Sequence, residues 1–115
     1  MKNLQNNFTT PEQSKRLLEL GAPDWTADCV TCRYGGGTFF EQDRHVFRKC
    51  IDSNNYVPCW SVGRLIEICK ICEPKKYYEQ LCEELQYSQN YCVVIISHII
   101  ANLPIIDFSK LEELV

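Results

Sequence analysis

The stretch from Ser61 to Cys72 constrains the fold more than any other part of the chain. Val62, Leu65, Ile66, Cys69 and Cys72 follow the three-and-four spacing of one helix face, Ile68 and Ile71 widen it, and Arg64, Glu67 and Lys70 line the opposite side. Ser61 is a good N-cap and Pro74 stops the helix. Burying the five stripe residues contributes on the order of 1.5–3 kcal/mol each before conformational entropy is set against it, which places this helix at the centre of a core. A chain of 115 residues has room for one such core, so a single domain spanning residues 1–115 is expected.

The flanking segments supply the rest of an α+β domain. Thr10-Pro11-Glu12-Gln13 has the form of a capping box with proline at the first helical position, which predicts a helix over residues 11–20 that ends at Gly21. Residues 29–34 and 38–41 are strand-like on either side of Gly35-Gly36-Gly37 and predict a hairpin. Residues 43–55 carry Arg44, His45, Arg48 and Lys49 around Val46 and Phe47, a spacing that suits one helical turn or an exposed strand equally. Tyr56 to Trp60 is extended because the residue before Pro58 avoids the helical region. Residues 75–87 have helical spacing, with a strand pair as the alternative. Residues 88–103 put Cys92, Ile95, Ile96 and Ile99 on one helical stripe; their many β-branched residues also suit a buried strand, and the length of the run favours a helix. Ser109 to Glu112 has the pattern of a second capping box opening a short terminal helix.

Composition narrows the setting. Residues 1–70 carry nine Lys or Arg against eight Asp or Glu, while residues 71–115 carry three against seven, and the formal net charge is -3. An acidic last third disfavours nucleic acid. The apolar run Tyr91 to Ala101 is eleven residues long and contains Ser97 and His98, whereas a bilayer-spanning helix needs about twenty apolar residues, so no membrane association is expected. Met1 to Gln13 lacks the apolar centre of an export signal, which predicts a cytoplasmic chain with eight reduced cysteines.

No catalytic constellation is visible. His45 lies among charges and His98 in an apolar run, and neither stands beside a serine or cysteine motif. The triple glycine lacks the Lys-Ser/Thr ending of a phosphate loop. Cys29, Cys32, Cys69 and Cys72 form two Cys-x-x-Cys pairs that could give four thiolates to one zinc, the alternative cofactor reading. Thirty-six residues separate the pairs, against about fifteen to twenty in a compact zinc ribbon, and Cys69 and Cys72 already serve the helix stripe. Aromatic residues favour protein contacts, so Tyr56, Trp60 and the neighbouring Arg64 are the candidate binding residues, although closing one end of the core is the stronger reading of Trp60 itself.

Three stretches are specific enough to carry a resemblance: Phe8-Thr-Thr-Pro-Glu-Gln-Ser-Lys-Arg-Leu-Leu-Glu-Leu-Gly21, Val57-Pro-Cys-Trp-Ser-Val-Gly-Arg-Leu-Ile-Glu-Ile68 and Ile106-Asp-Phe-Ser-Lys-Leu-Glu112. Together they resemble short proteins of uncharacterised activity from gut Bacteroides-type bacteria and their phages or mobile elements. The resemblance covers about a third of the chain. It implies that origin and a cytoplasmic setting, and no activity, and the cysteine pairs are outside it. The expectation is therefore an α+β domain in which helix 61–72 packs on a small antiparallel sheet with flanking helices. Its expected role is a non-enzymatic accessory protein that binds an unidentified protein partner, with a homo-oligomer left open.

Overall fold

Helix starts follow the local capping chemistry. A computed structural model describes residues 7–114, with the side chains of residues 112–114 excepted. Helix α1 spans Pro11–Glu19, and its box is reciprocal: the Gln13 N–H donates to Thr10 Oγ1 at 3.1 Å and the Thr10 N–H to Gln13 Oε1 at 2.9 Å. Helix α3 spans Val62–Cys72, and Ser61 Oγ accepts the Arg64 N–H at 3.1 Å. The terminal element Phe108–Leu114 is a 3-10 helix. There Asp107, not Ser109, accepts the free N–H, from Ser109 at 3.0 Å, while the Glu112 side chain of the expected box lies outside the described residues.

The hairpin forms as expected. Strand β1, Cys29–Cys32, pairs antiparallel with β2, Thr38–Phe40, and with β3, Tyr56–Cys59, in the order β2-β1-β3. Gly35, Gly36 and Gly37 all have positive φ, 94°, 117° and 89°, which a side chain would disfavour at each position. Pro58 sits opposite Val30 on a strand that, among the described residues, pairs only with β1. A proline is tolerated at such an edge because its missing N–H belongs to no ladder bond. Just beyond β3, Asn7 to Thr9 runs beside Trp60 to Val62: the Thr9 N–H donates to the Trp60 carbonyl at 2.9 Å and the Val62 N–H to the Asn7 carbonyl at 3.0 Å.

Residues 43–55, open between turn and strand in the sequence, contain a full helix, α2, over Arg44–Asp52. Asp43 caps it, accepting the His45 and Val46 N–H groups at 2.9 and 3.2 Å. Its inward stripe is Phe47 with half-buried Cys50 and Ile51, whereas Val46 is exposed. Residues 75–87 hold helix α4, Lys75–Leu85, and not a strand pair. Helix α5, Tyr91–Ala101, buries Cys92, Ile95, Ile96, His98 and Ile99.

The architecture is α+β. Helix α2 lies against β1 and β3, and α1 against β3; α3 packs on α5, α4 and the terminal 3-10 helix. Trp60 and Val30 from the sheet end join Leu65, Ile68, Leu81, Ile95, Ile99 and Leu111 from the helical end in one apolar cluster, so the central helix meets the sheet through that shared core. Among the described residues, no helix is long and apolar enough to cross a membrane.

Candidate binding cleft

Five segments meet around an open cleft of about 450 Å³, lined by Trp25, Asp28, Phe40, Glu41, Gln42, Arg44 and Arg64. Trp25 lies in the 3-10 turn Asp24–Thr26 that leads into β1, and Phe40 ends β2. Arg44 is the first residue of α2, and Arg64 lies in the first turn of α3.

The two arginines hold the wall together. Arg44 donates from Nη1 to the carbonyls of Trp25, at 3.1 Å, and Ala27, at 2.9 Å, and from Nη2 to the carbonyl of Glu41. Arg64 Nε donates to the carbonyl between them, Thr26, at 2.6 Å, and its Nη1 reaches Glu67 at 2.9 Å. Three successive carbonyls are thus each held by a guanidinium, a task suited to the fixed fork of arginine. Burial and the nearby Arg64 charge lower the Arg44 pKa from its ordinary value, with Asp28 and Glu41 opposing, and Arg44 also lies 4.3 Å over the Phe47 ring.

Asp28 anchors the floor. Its carboxylate accepts the Ser61 N–H at 2.9 Å and the Ser61 hydroxyl at 2.6 Å, tying the start of β1 to the N-cap of α3. Asp28→Ala is expected to lower the unfolding free energy by about 1–3 kcal/mol, read as a shift of the urea midpoint, because the Ser61 N–H loses its acceptor. Asp28→Asn, which keeps an acceptor oxygen, should recover most of that loss.

The expected binding trio does not form one surface. Trp60 is wholly buried: its Nε1 donates to Thr26 Oγ1 at 3.0 Å and its N–H to Thr9 Oγ1 at 2.9 Å, so it closes the core and has no ring face to offer a partner. Tyr56 is half-buried, with the Phe39 ring edge-on at 5.9 Å. Of the three, only Arg64 lines the cleft. Trp25, Asp28 and Phe40 went unnoticed in the sequence. The available signal was Phe39-Phe40, since adjacent aromatics on one strand point to opposite faces and a three-residue strand gives them little cover.

The structure places the two cysteine pairs on different elements, β1 and α3. Cys29 is buried and Cys32 half-buried three residues apart on a strand, and therefore on opposite faces. Cys69 and Cys72 face the core from α3. Among the described residues, no three His, Cys, Asp or Glu side chains come together in a way that could hold a metal ion. Burial raises the Cys69 pKa and pushes Cys72 up to about 11, which disfavours the thiolate a metal needs.

The basic run on α2 is also accounted for in part: Arg48 pairs with Asp24 at 2.7 Å and with Asp52 at 3.5 Å, while His45 and Lys49 are exposed. His98 is buried elsewhere, with Nε2 at 2.9 and 2.8 Å from the two carboxylate oxygens of Glu73 and Nδ1 at 3.4 Å from Asn102 Nδ2. It belongs to the packing between α3 and α5 and does not line the cleft. The site is thus an open, charge-balanced cleft on an α+β domain. No known protein family, curated protein or solved structure matches the chain.

Proposed function

We propose that the chain is a non-enzymatic accessory protein that holds a segment of a partner protein in the cleft between Trp25 and Phe40. The observation that carries this reading is Phe40, which is 56% exposed on the cleft wall while its neighbour Phe39 is 42% exposed on the other face of the same strand. Large apolar side chains left in water beside a concave surface are typical of contact sites. Charge favours a protein segment over a polyanion: Asp28 and Glu41 balance Arg44 and Arg64, and both arginines are engaged with backbone. Eight cysteines with no disulfide among them suit a reducing cytoplasm, in the phage or mobile-element setting that the resemblance implies.

A photo-crosslinking amino acid placed at position 40 in the cell of origin tests this. An adduct to a second protein is expected at position 40 and not at position 87, where Tyr87 is 85% exposed and remote from the cleft lining. Phe40→Ser should abolish capture with little change in melting temperature, because the ring contributes little to the core. Equal adducts at both positions, an adduct of the chain only with itself, or none, would overturn the reading.

A further inference from the structure

Two thiols lie face to face inside the sheet. Cys29 on the central strand is in register with Cys59 on the edge strand, so their side chains share one face of the sheet, and both are wholly buried. The Arg33 N–H donates to the Asn55 carbonyl at 2.9 Å, which marks a hydrogen-bonded pair, and alternation along the ladder makes Cys29 and Cys59 another. Such pairs hold their Cα atoms about 5.5 Å apart, within the range that a disulfide spans. Their Cβ atoms sit wider than a bridge prefers, so closing one draws the strands together locally. Strand β3 can yield, because among the described residues it has no partner strand beyond β1 and its neighbouring Pro58 makes no ladder donation.

The two sulfurs are also unequal. Cys59 Sγ accepts a hydrogen bond from the Thr31 hydroxyl at 3.2 Å, which favours its thiolate against the opposing effect of burial, whereas the Cys29 thiol donates to the Asp28 carboxylate at 3.4 Å, whose charge disfavours a thiolate there. Cys59 therefore takes the role of nucleophile, and Cys29, which keeps its proton beside Asp28, that of the resolving thiol.

We infer that Cys29 and Cys59 form a redox modification site, which hydrogen peroxide converts into an intramolecular cross-strand disulfide. The Cys59 thiolate attacks one peroxide oxygen, breaks the O–O bond and becomes a sulfenic acid, releasing hydroxide that takes up the proton Cys59 has lost. The Cys29 sulfur then attacks the sulfenic sulfur, and the departing hydroxyl leaves with the Cys29 proton as water. Two thiols and one peroxide thus give one disulfide and two waters.

The test uses the full chain carrying Cys32→Ser, Cys50→Ser and Cys82→Ser, which removes the half-buried thiols and leaves the pair intact. The folded protein is exposed to hydrogen peroxide, then unfolded, alkylated, digested and mapped by mass spectrometry. Loss of two hydrogen atoms per chain is expected, in a linked peptide pair joining Cys29 to Cys59, with reversal by dithiothreitol. Adding Cys29→Ser should abolish the bridge and leave a Cys59 sulfenic acid that dimedone traps. A bridge from Cys59 to Cys92 instead, or full alkylation of Cys29 and Cys59 after peroxide, would overturn the assignment. The same map on the wild-type chain decides the question if the serine variants do not fold.

Discussion

Trp60→Ala is expected to lower the unfolding free energy by about 3–5 kcal/mol, the usual cost of removing a large aromatic side chain from a packed core. For a domain of this size total stability is about 5–15 kcal/mol, so the variant should be substantially unfolded at ambient temperature or in mild urea. Two physical terms add. Trp60 is fully buried at the point where the sheet, the helical core and the Thr26 hydroxyl meet, and its removal leaves a cavity together with an unfilled acceptor. Trp60→Phe separates the terms, because it keeps most of the apolar volume and loses only the indole N–H, and it should cost about 1–2 kcal/mol. Urea titration followed by the fluorescence of Trp25 and by far-ultraviolet circular dichroism measures both variants. Wild-type stability in Trp60→Ala would mean that this residue does not join the two halves of the core.

His98→Ala is expected to be nearly as severe, at about 3–5 kcal/mol, because it strands the buried Glu73 carboxyl. The two side chains are 3% and 0% exposed, and Cys69 and Cys72 of α3 and Asn102 after α5 are the neighbouring polar groups. Burial raises the Glu73 pKa above its ordinary 4.5, and the hydrogen bond and charge of His98 oppose the rise. The native carboxyl therefore holds its proton more tightly than the unfolded chain does. Its contribution to stability is complete below pH 4.5 and is lost as pH rises through the raised native value. Glu73→Gln still accepts from His98 Nε2 and does not titrate. Wild-type stability should fall relative to this variant as pH rises above about 4.5, as read from urea denaturation at several pH values. A difference between the two proteins that stays constant above that pH would show that the carboxyl is not shifted by burial.

What was legible in the chain depended on distance along it. The Thr10 to Gln13 box, the Ser61 cap, the glycine turn and the α3 and α5 stripes are set by residues no more than four apart and are legible in the sequence, although for α5 the length of the run, and not spacing, decides helix over strand. Helix α2 stayed open between turn and strand because its cap, Asp43, stands in a polar run and because Val46 faces water while Cys50 and Ile51 turn inward, which blurs the apolar stripe. Trp60 could be read both as a contact residue and as the closure of one end of the core, the reading its burial supports, because spacing alone does not say which side of the sheet will be covered. The cleft draws on residues from Trp25 to Arg64, and the Glu73–His98 and Cys29–Cys59 pairs are joined only by topology. Arg64 was found for its position near the aromatic segment; its hold on the Thr26 carbonyl depends on how the 3-10 turn packs against α3.

The guanidinium clamp on three consecutive carbonyls has a consequence for how the cleft is filled. With Trp25 and its neighbours already fastened to α2 and α3, an occupant of the cleft would not have to freeze a floppy strap, so the proposed capture would forgo the ordering penalty that mobile recognition loops incur. Lysine at position 44 or 64 could grip only part of this backbone, and the expected sign of such a swap is a slower, more entropically costly capture with the aromatic wall unchanged.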